Sequence, residues 1–173
     1  YLHRQSIDIR HLGKYLRRSY ERYYNLLKDA FTNPDELEKA VQKLYKKELE
    51  CGVQTIQYQI NTLQTTNGQS PFVTLFLNIE QDDEYVEEVA LIVEEIIKQR
   101  IQGIKNEKGV YTTPTFPKLI YVLHEHNCLE GGKYDYITEL CAKCTSKRLY
   151  PDYISAEEMK KIYEGNCFSA MGK

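Results

Sequence analysis

The chain has 173 residues and a mass of 20.4 kDa, with 42% hydrophobic and 28% charged residues. That length suits one domain, and the apolar fraction is too high for a disordered chain. No apolar run approaches the roughly 18 residues that a membrane helix needs, and a net charge of −2 gives no general attraction to nucleic acid or to an anionic membrane. We therefore expect one soluble domain over residues 1–173, with no membrane and no nucleic-acid partner.

The sequence contains five cysteines and opens without a signal-peptide pattern. An odd number of dispersed cysteines favours a reduced, cytoplasmic protein. The first residue is Tyr1 rather than Met, which suggests a piece excised from a longer polypeptide. The cysteines are Cys51, Cys128, Cys141, Cys144 and Cys167.

Two long helices are predicted in the first third of the chain. Apolar residues spaced by three and four predict a helix over residues 6–31, which Gly13 weakens without breaking. Asn33 then supplies an N-cap and Pro34 a first helical residue, so a second helix is predicted over residues 34–64.

The remaining elements alternate between strands and helices. Two nearly all-apolar runs predict strands that are buried on both faces and paired in parallel. Two strands make a poor sheet, so we expect an incomplete α/β sheet whose missing strands lie outside this chain or in a second copy. The predicted elements are a strand at 71–79, a helix at 82–102 capped by Gly103, a strand at 118–124, a helix at 134–147 and a short helix that starts at Ser155.

Cys141 and Cys144 have the spacing of redox pairs and of half a zinc site. They fall in mid-helix rather than at a helix N-terminus, so buried structural thiols are the favoured interpretation. His124 and His126, near the end of a predicted strand, are expected on opposite faces, which argues against a shared metal. The sequence therefore predicts no metal site.

Residues 61–72 form an unusual segment because their polar side chains are all uncharged. Neutral amides and hydroxyls suit a ligand site, but they also suit a buried turn, and the residues alone leave both alternatives open. The candidate binding residues here are Thr62, Asn67, Gln69 and Ser70. Lys147 and Arg148, at the end of the fourth helix, are interpreted as C-terminal capping cations, with phosphate contact as the minority alternative.

Three strings in this order resemble the anaerobic, class III ribonucleoside-triphosphate reductases, which are glycyl radical enzymes. They are VQTIQYQINTL continuing through NGQSPFVT at residues 53–74, TPTFPKL at 113–119 and TSKRLYPD at 145–152. None of them is a generic helix or loop pattern, and the resemblance spans essentially the whole chain.

The resemblance implies a fragment of a ten-stranded α/β barrel that surrounds a loop with a thiyl cysteine. The implied activity is the conversion of ribonucleotides to deoxyribonucleotides for DNA replication: a glycyl radical generates the thiyl, the thiyl abstracts the 3′ hydrogen, and water leaves from C2′. The implied cofactors are a glycyl radical installed by a radical SAM activating enzyme and a structural zinc. The implied partners are a ribonucleoside triphosphate, the remainder of the barrel and that activating enzyme, and formate or a dithiol protein is the reductant.

Departures from the family pattern fall at both ends of the chain. Gln5 and Ser6 resemble residues that follow a family Gly-Gly pair, yet His3 and Arg4 stand where the glycines would be. Near the other end, Met171 and Gly172 resemble the approach to the thiyl cysteine, and Lys173 occupies the cysteine's position. We therefore expect no intact catalytic residue and an inactive fragment. Its substrate-binding candidates are Gln5, Ser6, Thr62, Asn67, Gln69, Ser70, Met171 and Gly172, while Cys51 and Cys167 are interpreted as structural.

Two other functions remain open at this point. The chain could be a non-enzymatic α/β interaction module that self-associates to cover an exposed sheet edge. It could also be a thiol redox protein that uses Cys141 and Cys144.

Overall fold

The computed structural model describes residues 4–63, 68, 71–163 and 165. Within them, no helix is both long and apolar enough to cross a lipid bilayer. The elements in chain order are β1 (Arg4–Asp8), α1 (Arg10–Leu27), α2 (Pro34–Thr62), β2 (Phe72–Leu77), α3 (Val86–Gln102), β3 (Ile104–Lys105), β4 (Tyr111–Thr112), β5 (Lys118–Leu123), α4 (Glu125–Cys128), α5 (Asp135–Arg148), β6 (Asp152–Ser155) and α6 (Ala156–Ile162).

The described strands form a four-stranded parallel sheet in the order β1-β2-β5-β6 and a two-stranded antiparallel ribbon of β3 and β4. The order in the parallel sheet follows the order in the chain, so each strand pairs with its predecessor. The central strands β2 and β5 are buried on both faces, as their apolar sequences predict.

The two faces of the sheet are covered very differently. On one face, alternate residues such as Leu75, Leu77 and Leu119 pack against α1, α2, α3 and α5 in the larger hydrophobic core. On the other face, Phe76 and Val122 pack against the seven-residue α6 in a much smaller core. The main helices therefore lie on one side of the sheet, and only α6 covers the other side among the described residues.

The parallel sheet has four described strands rather than the two that the sequence predicts. Residues 6–8, predicted as the start of a helix, belong to β1 and pair with β2. The helical spacing begins only at Ile9, and the preceding residues alternate between faces as strand residues do. β6 is the second missed strand, and it completes the other edge of the parallel sheet.

Element ends also differ from the predicted positions. Helix α1 ends at Leu27 rather than 31, and α3 starts at Val86 because the preceding residues form a turn in which Asp83 Oδ1 accepts a hydrogen bond from the Tyr85 amide. The three predicted helix caps are confirmed: Asn33 caps α2, Ser155 caps α6 and Gly103 caps α3.

Gly13 on α1 marks a close contact between α1 and α3. A Cβ atom at this position would lie 2.7 Å from Tyr85 Cβ and 3.1 Å from Val89 Cγ2. Real Cβ atoms do not approach other carbons so closely, so Gly13 sets the separation of the two helices. Gly52, on the exposed side of α2, has no atom within 4 Å of the same hypothetical Cβ.

Arg100 on α3 is 1% exposed and holds the segment that leads into β5. Its guanidinium donates from Nη1 to the Pro114 carbonyl at 2.9 Å and from Nη2 to the Pro117 carbonyl. No carboxylate pairs with it in the described part of the chain, and its Nε is buried without a partner. Burial lowers the pKa of Arg100 to about 10.

His124 and His126 follow β5 and lie at the start of α4, not on a strand. Their rings stack with centroids 5.0 Å apart, so the prediction that they point to opposite faces is wrong. It would also be wrong on a strand, because residues two positions apart on a strand share a face. His124 Nε2 contacts Asn78 Oδ1 at 2.6 Å, and His126 Nε2 contacts the Ile79 carbonyl at 2.8 Å. The pair therefore ties α4 to the end of β2.

We expect Gly13→Ala to destabilise the chain by about 1–3 kcal/mol, because the added methyl group must displace packed atoms of α3. The matched variant Gly52→Ala should be neutral or stabilising by up to about 1 kcal/mol, since alanine favours a helix where there is space. Urea denaturation measures both free energies of unfolding, and equal effects would contradict the close contact.

We expect Arg100→Met to lower the free energy of unfolding by about 2–4 kcal/mol, because two buried carbonyls lose their donors. Lys98→Met, on an exposed part of the same helix, removes the same charge and should change stability by less than about 0.5 kcal/mol. Chemical denaturation of both variants checks this, and similar losses would show that the carbonyl contacts contribute little.

The stability of the chain should also depend on pH through His124. Burial first, and then the charges of His126, Lys160 and Arg10, lower the pKa of His124 from 6.5 to about 4. The unfolded chain therefore binds this proton more readily, and the free energy of unfolding should fall as pH drops from about 6.5 to 4. Denaturation of the wild type and of His124→Asn at several pH values should give a shallower slope for the variant, and parallel slopes would refute this assignment.

Candidate functional site

The amino ends of the strands bring together side chains that are far apart in sequence. In the sheet register, Ser6 lies opposite Thr74, and Thr74 lies opposite Lys118. Registered residues on parallel strands share a face, so these three form a row on the side opposite the main helices. Ser6 and Lys118 are half-buried and Thr74 is 5% exposed. Two hydroxyls and an ammonium group in a row can bind a polar or anionic ligand.

The other predicted binding residues at this end are placed differently. Gln5 is in register with Val73, so it faces the helix side of the sheet rather than the side of Ser6. Thr62 is the last residue of α2, is exposed and donates its hydroxyl to the Tyr58 carbonyl at 2.7 Å. The structure thus brings Ser6 to the row and leaves Gln5 and Thr62 outside it.

Phe116 contacts the residues on both sides of the polar segment between α2 and β2. Asn61 Nδ2 donates to the Phe116 carbonyl at 3.1 Å, and the Phe72 ring packs edge-on against the Phe116 ring at 5.1 Å. The segment that contains Phe116 is in turn fixed by Arg100 through Pro114 and Pro117. Asn67, Gln69 and Ser70 lie outside the described residues, as do Met171, Gly172 and Cys167.

A second polar cluster lies at the carboxyl ends of β1 and β2. Arg10 donates to Asp8 Oδ2 from Nε at 2.9 Å and from Nη2 at 2.7 Å, and its Nη1 pairs with Glu80. Burial alone would lower the pKa of Arg10, but its hydrogen bond and charge interaction with Asp8 outweigh burial and raise it. These pairs tie the end of β1 to the residues that follow β2.

Asn78 extends this cluster towards β5, and it was not predicted. It is fully buried, its Oδ1 contacts His124 Nε2, and its Nδ2 has no hydrogen-bond partner among the described residues. The sequence carried a signal for it, because polar residues follow each apolar strand directly, and carboxyl ends of neighbouring parallel strands meet at one edge.

The CxxC cysteines have the properties of structural thiols, as the sequence favoured. Cys141 and Cys144 are fully buried in α5, and burial raises the pKa of both thiols. A thiol with a raised pKa is a poor nucleophile, so this pair does not support a redox function. Cys51, predicted to be structural, is exposed on α2, and Cys128 is also exposed.

Lys147 and Arg148 lie in the last turn of α5, as predicted, but the hydrogen bonds of Arg148 go to the end of another helix. Its guanidinium donates from Nε to the Ile101 carbonyl at 3.0 Å and from Nη2 to the Gln102 carbonyl at 2.7 Å, at the end of α3. Its Nη1 also contacts Thr113 Oγ1 at 3.2 Å. Within the described ranges, no group of three or more His, Cys, Asp or Glu side chains could hold a metal ion.

Comparisons with known proteins give a consistent result. The family model described as anaerobic ribonucleoside-triphosphate reductase matches residues 5–172. A protein of that name from Haemophilus influenzae is 33% identical over 153 residues, covering 87% of this chain and 20% of the relative. The protein of that name from enterobacteria phage T4 is 36% identical over 155 residues, covering 87% of this chain and 24% of the relative.

A third relative of the same name, from Escherichia coli, is 36% identical over 118 residues, covering 67% of this chain and 15% of the relative. The chain therefore spans a quarter or less of the length of these relatives. Because the family model covers nearly every residue, the chain belongs to the anaerobic ribonucleoside-triphosphate reductase family.

Proposed function

We propose that this chain is part of an anaerobic ribonucleoside-triphosphate reductase and forms a section of the wall of a closed α/β barrel. The observation that carries the proposal is the arrangement of the parallel sheet. Its strands follow chain order and its main helices pack on one face. Closed α/β barrels have this arrangement, because their helices form an outer ring and the other face of the sheet points inward.

The inward face has the composition expected of a wall around a polar substrate. Its middle is apolar, with Phe76, Ile120 and Val122 packed against α6. Its amino end carries the row of Ser6, Thr74 and Lys118. We propose that this end, together with the polar segment over residues 62–70 and residues 171–172, contacts a ribonucleoside triphosphate in a cytoplasmic enzyme.

The outer edges of β1 and β6 are the places where further barrel strands would pair. In the described part of the chain neither strand has a partner on its outer side, and parallel strands with open edges invite pairing. The remainder of the reductase is the occupant that we propose. The same edges would also serve the alternative function, a self-associating module without enzymatic activity.

The cofactors implied by the family are not assigned to these residues. The described ranges offer no three-residue metal cluster, so we propose that the structural zinc is held by other parts of the enzyme. The glycyl radical, and the radical SAM enzyme that installs it, are likewise proposed to act elsewhere in the enzyme. The contribution of this chain is to position the substrate and to exclude water.

The function is tested by comparing Ser6→Ala with Gln5→Ala in the anaerobically activated enzyme that carries this sequence. Since Ser6 lies on the inward face and Gln5 on the helix face, we expect Ser6→Ala to raise the KM for ribonucleoside triphosphate roughly three- to tenfold, the loss of about one hydrogen bond. Gln5→Ala should change KM by less than about twofold. Deoxyribonucleotide formation is the readout.

A larger increase in KM for Gln5→Ala than for Ser6→Ala would contradict the proposal that the face carrying Ser6 contacts the substrate. Absence of deoxyribonucleotide from the wild type, together with concentration-dependent dimers in sedimentation, would favour the self-associating module.

A further inference from the structure

An open pocket of about 500 Å³ lies at the amino ends of β5 and β6, beside the end of α5. Its charged lining residues are Lys118, Lys147, Arg148 and Asp152, so cations outnumber acids by three to one. A volume of several hundred Å³ is typical of small-molecule sites.

The charge around the pocket is larger than its lining alone indicates, because Arg100 lies directly behind it. Arg100 contacts the Pro114 carbonyl and the Tyr150 ring, with its Cζ 5.2 Å from the ring centroid, and both residues line the pocket. Arg100 is fully buried and has no carboxylate partner within the described ranges. A buried cation without a counter-ion leaves a positive potential at the nearest opening.

The two basic residues at the end of α5 have different roles in this pocket. Arg148 is fixed by the Ile101 and Gln102 carbonyls, so it supplies a stationary charge with most of its donors in use. Lys147 is exposed and makes no ion pair with any described residue, so its ammonium group is available to a ligand. Both charges also offset the negative pole of the helix at this end.

We propose that this pocket binds the phosphate chain of a polyphosphate anion, with Lys147 as its mobile contact. The lining supplies further donors, since Thr115 and Tyr150 carry hydroxyls. An ammonium on a flexible stem follows a phosphate chain as a point charge, which suits Lys147 better than a fixed guanidinium. The ligand could be a nucleotide or inorganic polyphosphate, because both present the same oxygens.

This inference deepens the proposed reductase function and rests on it for the nucleoside part of the ligand, while phosphate binding itself does not require radical chemistry. It lies at the same end of the sheet as the row of Ser6, Thr74 and Lys118, and it shares Lys118 with that row. A phosphate chain held here would therefore place the rest of a nucleotide near the inward face.

The test is calorimetric titration of the chain with inorganic tripolyphosphate, ATP and adenosine at low salt. We expect tripolyphosphate to bind with a Kd below about 1 mM and to weaken as salt is added. Lys147→Gln should weaken binding about three- to tenfold, the loss of about one solvent-exposed hydrogen bond. Lys39→Gln, an exposed lysine on α2 with the same change of net charge, should leave the affinity unchanged.

Each outcome decides the proposal. Equal affinities for tripolyphosphate and ATP support a site for the phosphate chain alone, and tighter binding of ATP supports a nucleotide site. If tripolyphosphate does not bind, or if Lys147→Gln and Lys39→Gln weaken its binding equally, the proposal that this pocket binds phosphates is wrong. Circular dichroism of both variants excludes misfolding, and turnover is not measured, so failure here is separate from failure of the reductase assay.

Discussion

A parallel sheet must be buried on both faces, and this requirement governs the structure. Strands paired in chain order place α1, α2, α3 and α5 on one face, which leaves the opposite face to the short α6. That face is polar at its ends and apolar in its middle, where α6 covers it. Such a face suits the interior of a larger enclosure, and this is the basis for proposing it as a section of a barrel wall.

Arginines that bind carbonyls, rather than acids, organise the amino end of the sheet. Arg100 fixes the segment before β5, and Phe116 in that segment contacts both flanks of the polar segment between α2 and β2. Because peptide carbonyls carry no net charge, the guanidinium charge remains uncompensated. The same contacts therefore shape the backbone around the candidate site and make its surroundings electropositive.

The sequence predicted the parts of the fold in which burial is one-sided or complete. β2 and β5 were visible as apolar runs, and α2 was visible from Asn33 and Pro34. β1 and β6 were missed because edge strands are short and tolerate polar residues such as Asp8 and Asp152. The partners of Asn78, His124 and Arg148 could not be predicted, since they join residues 46 or 47 positions apart through the packing of whole elements.

The contact of Arg148 with α3 has a consequence for local opening of the chain. Helix ends normally fray independently, because their last carbonyls bond only to water. Here the final carbonyls of α3 are held by the last residue of α5, and Gly103 leaves no room for a side chain between them, since a Cβ there would lie 2.8 Å from Arg148 Nη2. We therefore expect the two termini to open as one cooperative unit, with amides that exchange with solvent together rather than one helix at a time.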